Sequence, residues 1–273
     1  MEFGTIGFIG GGNMARSLIG GLVARGTPAA HIHVCEPNAA ARDALAADFG
    51  VQVSADAAAA AGADLIVLAV KPQVMRDVCT ALGPLIGARR PLVVSIAAGV
   101  RIAQLLRWFA RDLPVVRAMP NTPALLGAGI TGLCSGPGAD AADVARATAL
   151  LATCGEVVTI ADESLMDAVT AVSGSGPAYF FLLIEALEAA GIAQGLPADT
   201  ARRLAAATAA GAAKMAAAGT STPARLREQV TSPGGTTAAA LAVFEAEGLR
   251  ATVARAVDAA TARGRELSAR LDD

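Results

Sequence analysis

Thr5-Ile6-Gly7-Phe8-Ile9-Gly10-Gly11-Gly12-Asn13-Met14-Ala15 is the stretch that decides the fold. Residues 5–9 form a short apolar run suited to a strand buried on both faces. Three glycines break that run, and residues 15–24 return to helix-forming types that stop near Gly26. Gly10-x-Gly12-x-x-Ala15, set between strand and helix, is the alanine-ended form of the dinucleotide-binding turn. Its first glycine permits the turn, its second lets a pyrophosphate approach bare backbone, and its third small residue lets the helix pack on the sheet. The unpaired N–H groups and positive dipole end of the helix then face an anion.

Outward from this unit the pattern repeats. Ile32-His33-Val34-Cys35 reads as a second strand, 39–49 as a helix, 65–70 as a third strand and 92–96 as a fourth. Further strands are expected at 115–118, 130–134 and 157–160. Strands alternating with helices imply right-handed crossovers, hence an α/β fold with a doubly wound, Rossmann-type parallel sheet. Beyond Ala161 the chain turns alanine-rich and helical, punctuated by Ser173-Gly174-Ser175-Gly176-Pro177, Gly195-Leu196-Pro197 and Ser232-Pro233-Gly234-Gly235. The expected division is therefore a dinucleotide-binding domain over 1–161 and an all-α substrate-binding and dimerisation domain over 162–273. Those helices carry more apolar surface than such a domain can hide, so a homodimer that buries them is expected.

Bulk properties exclude several classes. A net charge of −2 over 273 residues supplies no basic footprint for nucleic acid. The longest charge-free run, 118–139, is broken by Pro120, Pro123 and Pro137, so it does not form a membrane span. The chain opens almost at once into its first strand, without a secretory leader pattern, and a cytoplasmic location is expected. Cys35, Cys79, Cys134 and Cys154 lie far apart with no Cys-x-x-Cys, which suits reduced, buried thiols rather than disulfides or a metal. Only His31 and His33 are available as imidazoles, which excludes a Ser-His-Asp triad elsewhere and a typical zinc site.

Cofactor contacts are assigned to Gly10, Gly12, Asn13 and Met14 in the glycine turn, and to Glu36 and Asn38 after the second strand. Glu36 occupies the place of the acid that binds the adenosine ribose, which by itself favours NAD, while Arg42 and Asn38 nearby could meet a 2′-phosphate. Both cofactors stay open on this reading. Ala69-Val70-Lys71-Pro72 follows the third strand at the sheet edge where ligands bind, and Ala97-Ala98-Gly99-Val100 follows the fourth, where a flat ring could approach. Met119-Pro120-Asn121-Thr122-Pro123 is a rigid turn that either closes the pocket or is a turn alone, and Asn121 is assigned to the cofactor contacts.

A second anion site is expected at 229–245, where Gly234 and Gly235 turn the chain and Thr236 or Thr237 can cap the helix that follows. Familiar proton handlers are missing: the only tyrosine, Tyr179, has Leu183 where a Tyr-x-x-x-Lys pair needs lysine, and Gly174-x-Gly176 is followed by Phe180 where a hydroxyacid dehydrogenase carries lysine. That absence favours a substrate whose reduction needs little acid–base help, such as a protonated C=N bond.

With these residues assembled, the chain resembles the pyrroline-5-carboxylate reductase family. The matching segments are 7–15, 69–72, 97–100, 121–123, 167–170, 173–179 and 229–245, the last being the family's signature. The resemblance implies NAD(P)H-dependent reduction of 1-pyrroline-5-carboxylate to L-proline, with NADPH preferred and NADH an alternative. It also implies a helical domain that interlocks two subunits and builds the active site at their interface, with a decamer as a higher assembly. Carried over by position, Gly234, Gly235, Thr236 and Thr237 hold the substrate carboxylate, the Thr237 hydroxyl bonds the ring nitrogen as the catalytic contact, and Glu163 and Gln229 lie on the substrate side. Family members often have asparagine near the position of Ala57, and some have it at the position of Gln229. Two rival classes are a reductase of a larger imine or a keto acid on the same scaffold, and a non-catalytic nucleotide-binding regulator.

Overall fold

The structure is a computed structural model and describes residues 3–271. The chain divides into two compact units, Met1–Ser175 with Ala260–Asp273, and Gly176–Ala259.

The first unit is built on eight strands: β1 (Ile6–Ile9), β2 (Ile32–Cys35), β3 (Gln52–Ser54), β4 (Leu65–Leu68), β5 (Leu92–Ser95), β6 (Val115–Met119), β7 (Gly129–Ser135) and β8 (Gly155–Thr159). Their order across the sheet is β3-β2-β1-β4-β5-β6-β7-β8. Helices α1 (Asn13–Ala24), α2 (Ala39–Phe49), α3 (Ala58–Ala61), α4 (Met75–Ile86), α5 (Ile102–Phe109) and α6 (Ala141–Leu151) connect them, and α7 (Met166–Val169) follows β8. The central strands are continuous apolar runs because helices cover both faces. Two buried clusters result, one around Phe8, Leu18, Ile19, Leu22 and Leu45, the other around Ile66, Leu68, Met75, Leu82 and Leu105. Each such side chain contributes about 1.5–3 kcal/mol on burial.

Two features depart from the expected parallel sheet. β3 is an additional strand, only three residues long and partly exposed, pairing with β2 at the sheet edge. β7 runs antiparallel to β6, with Ala118 opposite Leu133. The physical reason is the short connection: Thr122–Leu126 forms a single tight 3-10 turn ended by Gly127 at φ 68°, too short for a crossover, so the chain must reverse.

Arg117 sits in the middle of β6 and is 4% exposed. Its guanidinium is 3.0 Å from Glu163 Oε1 and 3.8 Å from Asp167 Oδ1. Two carboxylates from the segment after β8 thereby pair with one buried cation and tie that segment to the sheet.

The second unit contains α8 (Gly176–Ala193), α9 (Ala198–Ala217), α10 (Pro223–Gln229), α11 (Thr236–Ala246) and the start of α12 (Leu249–Ala269). Small residues let α8 and α9 approach closely: a Cβ on Gly191 would lie 3.3 Å from the Cβ of Ala201. Arg202 reinforces the pair through Glu188 at 3.1 Å. Phe180, Phe181 and Leu182, consecutive and so spread around α8, are 64%, 63% and 66% exposed. By length and composition, the 31 residues Glu163–Ala193 are long and apolar enough to cross a membrane. Their beginning belongs to the sheet unit, however, where Met166 and Asp167 are buried.

Candidate active site

The crevice is set by topology. β1 lies between β2 and β4, so the connections leaving the carboxyl ends of β1 and β4 diverge to opposite sides, the place where open α/β sheets bind ligands. Gly10 closes the turn after β1 at φ 98°, and a Cβ there would lie 2.7 Å from the Ala69 carbonyl oxygen. Gly12 is the N-cap of α1, in extended conformation with no side chain capping the helix. A Cβ on Gly12 would meet nothing within 4 Å. The first turn of α1, begun by Asn13 and Met14, therefore starts beside a bare glycine with no side chain on its cap, the arrangement expected of an anion site.

Glu36 follows β2 and is held from two sides. Its Oε2 accepts from Gly11 N–H at 2.9 Å and its Oε1 from Asn38 N–H at 2.9 Å. Asn38 caps α2, its Oδ1 accepting from Ala41 N–H at 2.9 Å. Arg42 donates instead to the carbonyl oxygens of Glu36 and Pro37, at 2.8 and 2.9 Å. A fixed carboxylate next to the glycine turn disfavours a second anion beside it. Glu36→Ser is accordingly expected to raise the NADPH-to-NADH ratio of kcat/KM roughly tenfold, equivalent to about 1.4 kcal/mol. Steady-state kinetics with both cofactors checks this, and an unmoved ratio would confine the carboxylate's role to bracing the turn.

Across the switch point lie the groups expected to meet the nicotinamide. Ala69 N–H donates to Ile9 O at 2.8 Å, Val70 is half-buried, and exposed Lys71 precedes the short turn begun by Pro72. Ala97 is buried and Gly99 takes φ 75° in the turn between β5 and α5. Asn121 is buried, its amide donating to Ser173 O at 3.2 Å while its Oδ1 accepts from Ile130 N–H at 3.0 Å. Its side chain thus braces the turn between β6 and β7.

The second expected anion site belongs to the helical unit. Ser232-Pro233-Gly234-Gly235 has the form of a type II turn: proline second, Gly234 third at φ 73°, and Gly235 N–H donating to Ser232 O at 3.0 Å. The structure corrects the expected cap. Gly235, not Thr236 or Thr237, is the N-cap of α11, and no side chain caps that helix. The extended backbone needed at the cap falls on Gly235 directly after the left-handed glycine, so both threonines lie within the first turn. Gln229 is the exposed last residue of α10.

Glu163 is engaged within the first unit: its Oε1 accepts from Ile102 N–H at 2.9 Å, at the start of α5, as well as from Arg117. Arg117 was not among the residues singled out from sequence. A charge inside the apolar run Val115-Val116-Arg117-Ala118-Met119 was the available signal, because a buried cation requires partners. The cysteines are buried and free, and burial pushes the Cys79 thiol up to about 12, so none is poised as a nucleophile.

A glycine turn at the switch point of a doubly wound sheet, an acid at the end of its second strand and a separate helical unit define a dinucleotide-dependent oxidoreductase. Residues 5–99 match the family model described as NADP oxidoreductase coenzyme F420-dependent, and residues 163–267 match that described as pyrroline-5-carboxylate reductase dimerisation. Over 272 residues the chain is 50% identical to the pyrroline-5-carboxylate reductase of Pseudomonas aeruginosa, covering 99% of each chain. The chain belongs to the pyrroline-5-carboxylate reductase family. The Synechocystis enzyme of the same name is 45% identical, over 96% of this chain and 97% of its own. Among solved structures, the Coxiella burnetii pyrroline-5-carboxylate reductase superposes with TM-score 0.93 at 38% identity, covering 97% of this chain and 99% of that one. Plasmodium falciparum pyrroline carboxylate reductase, solved with NADP bound, gives TM-score 0.85 at 29% identity, covering 98% and 99%.

Proposed function

We infer that the chain reduces 1-pyrroline-5-carboxylate to L-proline with a reduced nicotinamide cofactor. The observation that carries the reading is the type II turn at 232–235 opening directly into the N-terminus of α11, which no side chain caps, in a chain that also has a glycine turn at the switch point of its sheet. The bound cofactor supplies a hydride to C5 of the ring. Gly10, Gly12, Asn13 and Met14 hold its pyrophosphate, Glu36 and Asn38 lie by the adenosine ribose, and Ala69, Val70, Lys71, Pro72, Ala97, Gly99 and Asn121 form the nicotinamide side. NADPH is the expected form, as in the relative solved with NADP, and NADH the alternative.

Gly234, Thr236 and Thr237 receive the substrate carboxylate on backbone N–H groups, where the helix dipole adds to the attraction, while Gly235, whose own N–H closes the turn onto Ser232 O, shapes the loop that holds it. The Thr237 hydroxyl contacts the ring nitrogen, while Glu163 and Gln229 lie on the substrate side. Because a protonated imine is already electrophilic, the protein's task is to orient the ring and keep the charge pattern complementary, with no general base. A second copy of the chain covers the exposed apolar residues of α8, giving a homodimer; light scattering reads that state and any decamer built from it.

Thr237→Ala is expected to lower kcat about ten- to a hundredfold, the cost of a hydrogen bond to a charged partner at roughly 1.5–3 kcal/mol. Thr237→Ser should recover much of the loss. Oxidation of NADPH and NADH followed at the nicotinamide absorbance, with pyrroline-5-carboxylate as acceptor, tests the whole reading. Failure of the wild-type chain to turn over would overturn it.

A further inference from the structure

The carboxyl end of α12 reaches the turn between β5 and α5, and the contact is polar and buried. Ser268 is completely buried, and its Oγ donates to the Gly99 carbonyl oxygen at 2.5 Å. The Ser268 carbonyl oxygen in turn accepts from Gln104 Nε2 at 3.1 Å. Gln104 is itself buried on α5, and its Oε1 accepts from Arg101 N–H at 2.7 Å. One continuous series of hydrogen bonds therefore joins Gly99, Ser268, Gln104 and Arg101, binding the turn and its α5 flank to a helix end more than 160 residues away.

The turn needs such support. Ala97, Ala98 and Gly99 have no side chains long enough to hold their own backbone, and Gly99 sits at φ 75°. The missing Cβ of Gly99 would point at the Ser268 backbone, 3.8 Å from its nitrogen, so the helix end lies against the bare face of the glycine. Beside this contact is a cavity of about 490 Å³ lined by Pro72, Gln73, Gly99, Leu267 and Arg270, hence by the turns following β4 and β5 on the nicotinamide side of the switch point. A buried hydroxyl committed to a loop carbonyl is costly to leave unmatched, which gives this lock one preferred geometry.

We propose that Ser268 is a positioning residue: through Gly99 O, and held by Gln104, it fixes the 97–99 turn that orients the nicotinamide. This rests on the reductase reading given above. Alignment of reacting atoms is sensitive to displacements of about 1 Å, so the chemical step suffers while binding of the distant adenosine half does not.

The test compares full-length Ser268→Ala, Ser268→Thr and Gln104→Met with wild type. Single-turnover NADPH oxidation by pyrroline-5-carboxylate is followed by stopped flow, ADP-ribose affinity by calorimetry, and fold by circular dichroism. Ser268→Ala is expected to slow the single turnover about tenfold, with ADP-ribose affinity within about twofold of wild type and the rate restored by Ser268→Thr. An unchanged rate in a folded Ser268→Ala, or a parallel loss of ADP-ribose binding, overturns the proposal. Should Ser268→Ala fail to fold, Gln104→Met, which keeps the hydroxyl but frees the helix end, carries the same expectation and the same refutation. Failure of the reductase reading looks different: wild type itself would not oxidise NADPH with this substrate. In that case the lock is read as a fall in the ratio of NADPH to ADP-ribose affinity in Ser268→Ala, and an unchanged ratio refutes it.

Discussion

Gly12→Val should reduce NADPH affinity at least a hundredfold while leaving the chain folded. The N-cap of α1 has φ −68° and ψ −177°, a conformation valine adopts without strain, and a Cβ there meets nothing within 4 Å. The folded chain therefore accommodates the side chain, at about 1 kcal/mol for a poorer cap. The cofactor does not, because the isopropyl group occupies the space before the helix N-terminus. Charge-assisted hydrogen bonds from backbone N–H groups to phosphate contribute roughly 1.5–3 kcal/mol each, so losing two costs about 3–6 kcal/mol. Fluorescence titration of NADPH with thermal unfolding in parallel checks both halves. Retained affinity would show that the pyrophosphate does not lie against Gly12. Gly10→Val is the contrasting case: it strains a residue at φ 98° and presses on the Ala69 carbonyl, so it should lower stability and binding together.

Replacing Arg117 by methionine should destabilise the chain by about 3–5 kcal/mol, the usual effect of removing one partner from a buried ion pair. The cost arises from what remains: Asp167, buried, and Glu163, partly exposed, lose their cation. Urea unfolding at neutral pH measures the change. Adding Glu163→Gln and Asp167→Asn should recover a substantial part, because neutral amides are cheaper to bury than unpaired carboxylates. If the triple variant is no more stable than Arg117→Met alone, the loss comes from packing of the arginine stem and not from charge.

Much of the dinucleotide half was legible from sequence because its signals are local. A strand, a glycine turn and a helix lie within twenty consecutive residues, and the positive φ of Gly10 belongs to that stretch alone, although the Ala69 carbonyl that a Cβ there would strike comes from the turn after β4. The turn at 232–235 was legible for the same reason, although which residue caps α11 was not. That choice depended on where the left-handed backbone fell, on Gly234, placing Gly235 at the cap. β3 escaped because Gln52-Val53-Ser54 is too short to show alternation and acquires its strand geometry only by pairing with β2.

Sequence alone thus determined the alternation of strands and helices, the position of the glycine cradle, the absence of a lysine or tyrosine proton donor at the usual spacings and the surplus of apolar helix surface. These follow from residue types and short spacings along one chain. Tertiary structure alone decided the reversal at β7, the pairing of Arg117 with Glu163 and Asp167, the two-sided grip on the Glu36 carboxylate and the docking of Ser268 on Gly99. Each joins groups from separate elements, and whether a polar group is buried, and which partner then satisfies it, is settled only when those elements pack.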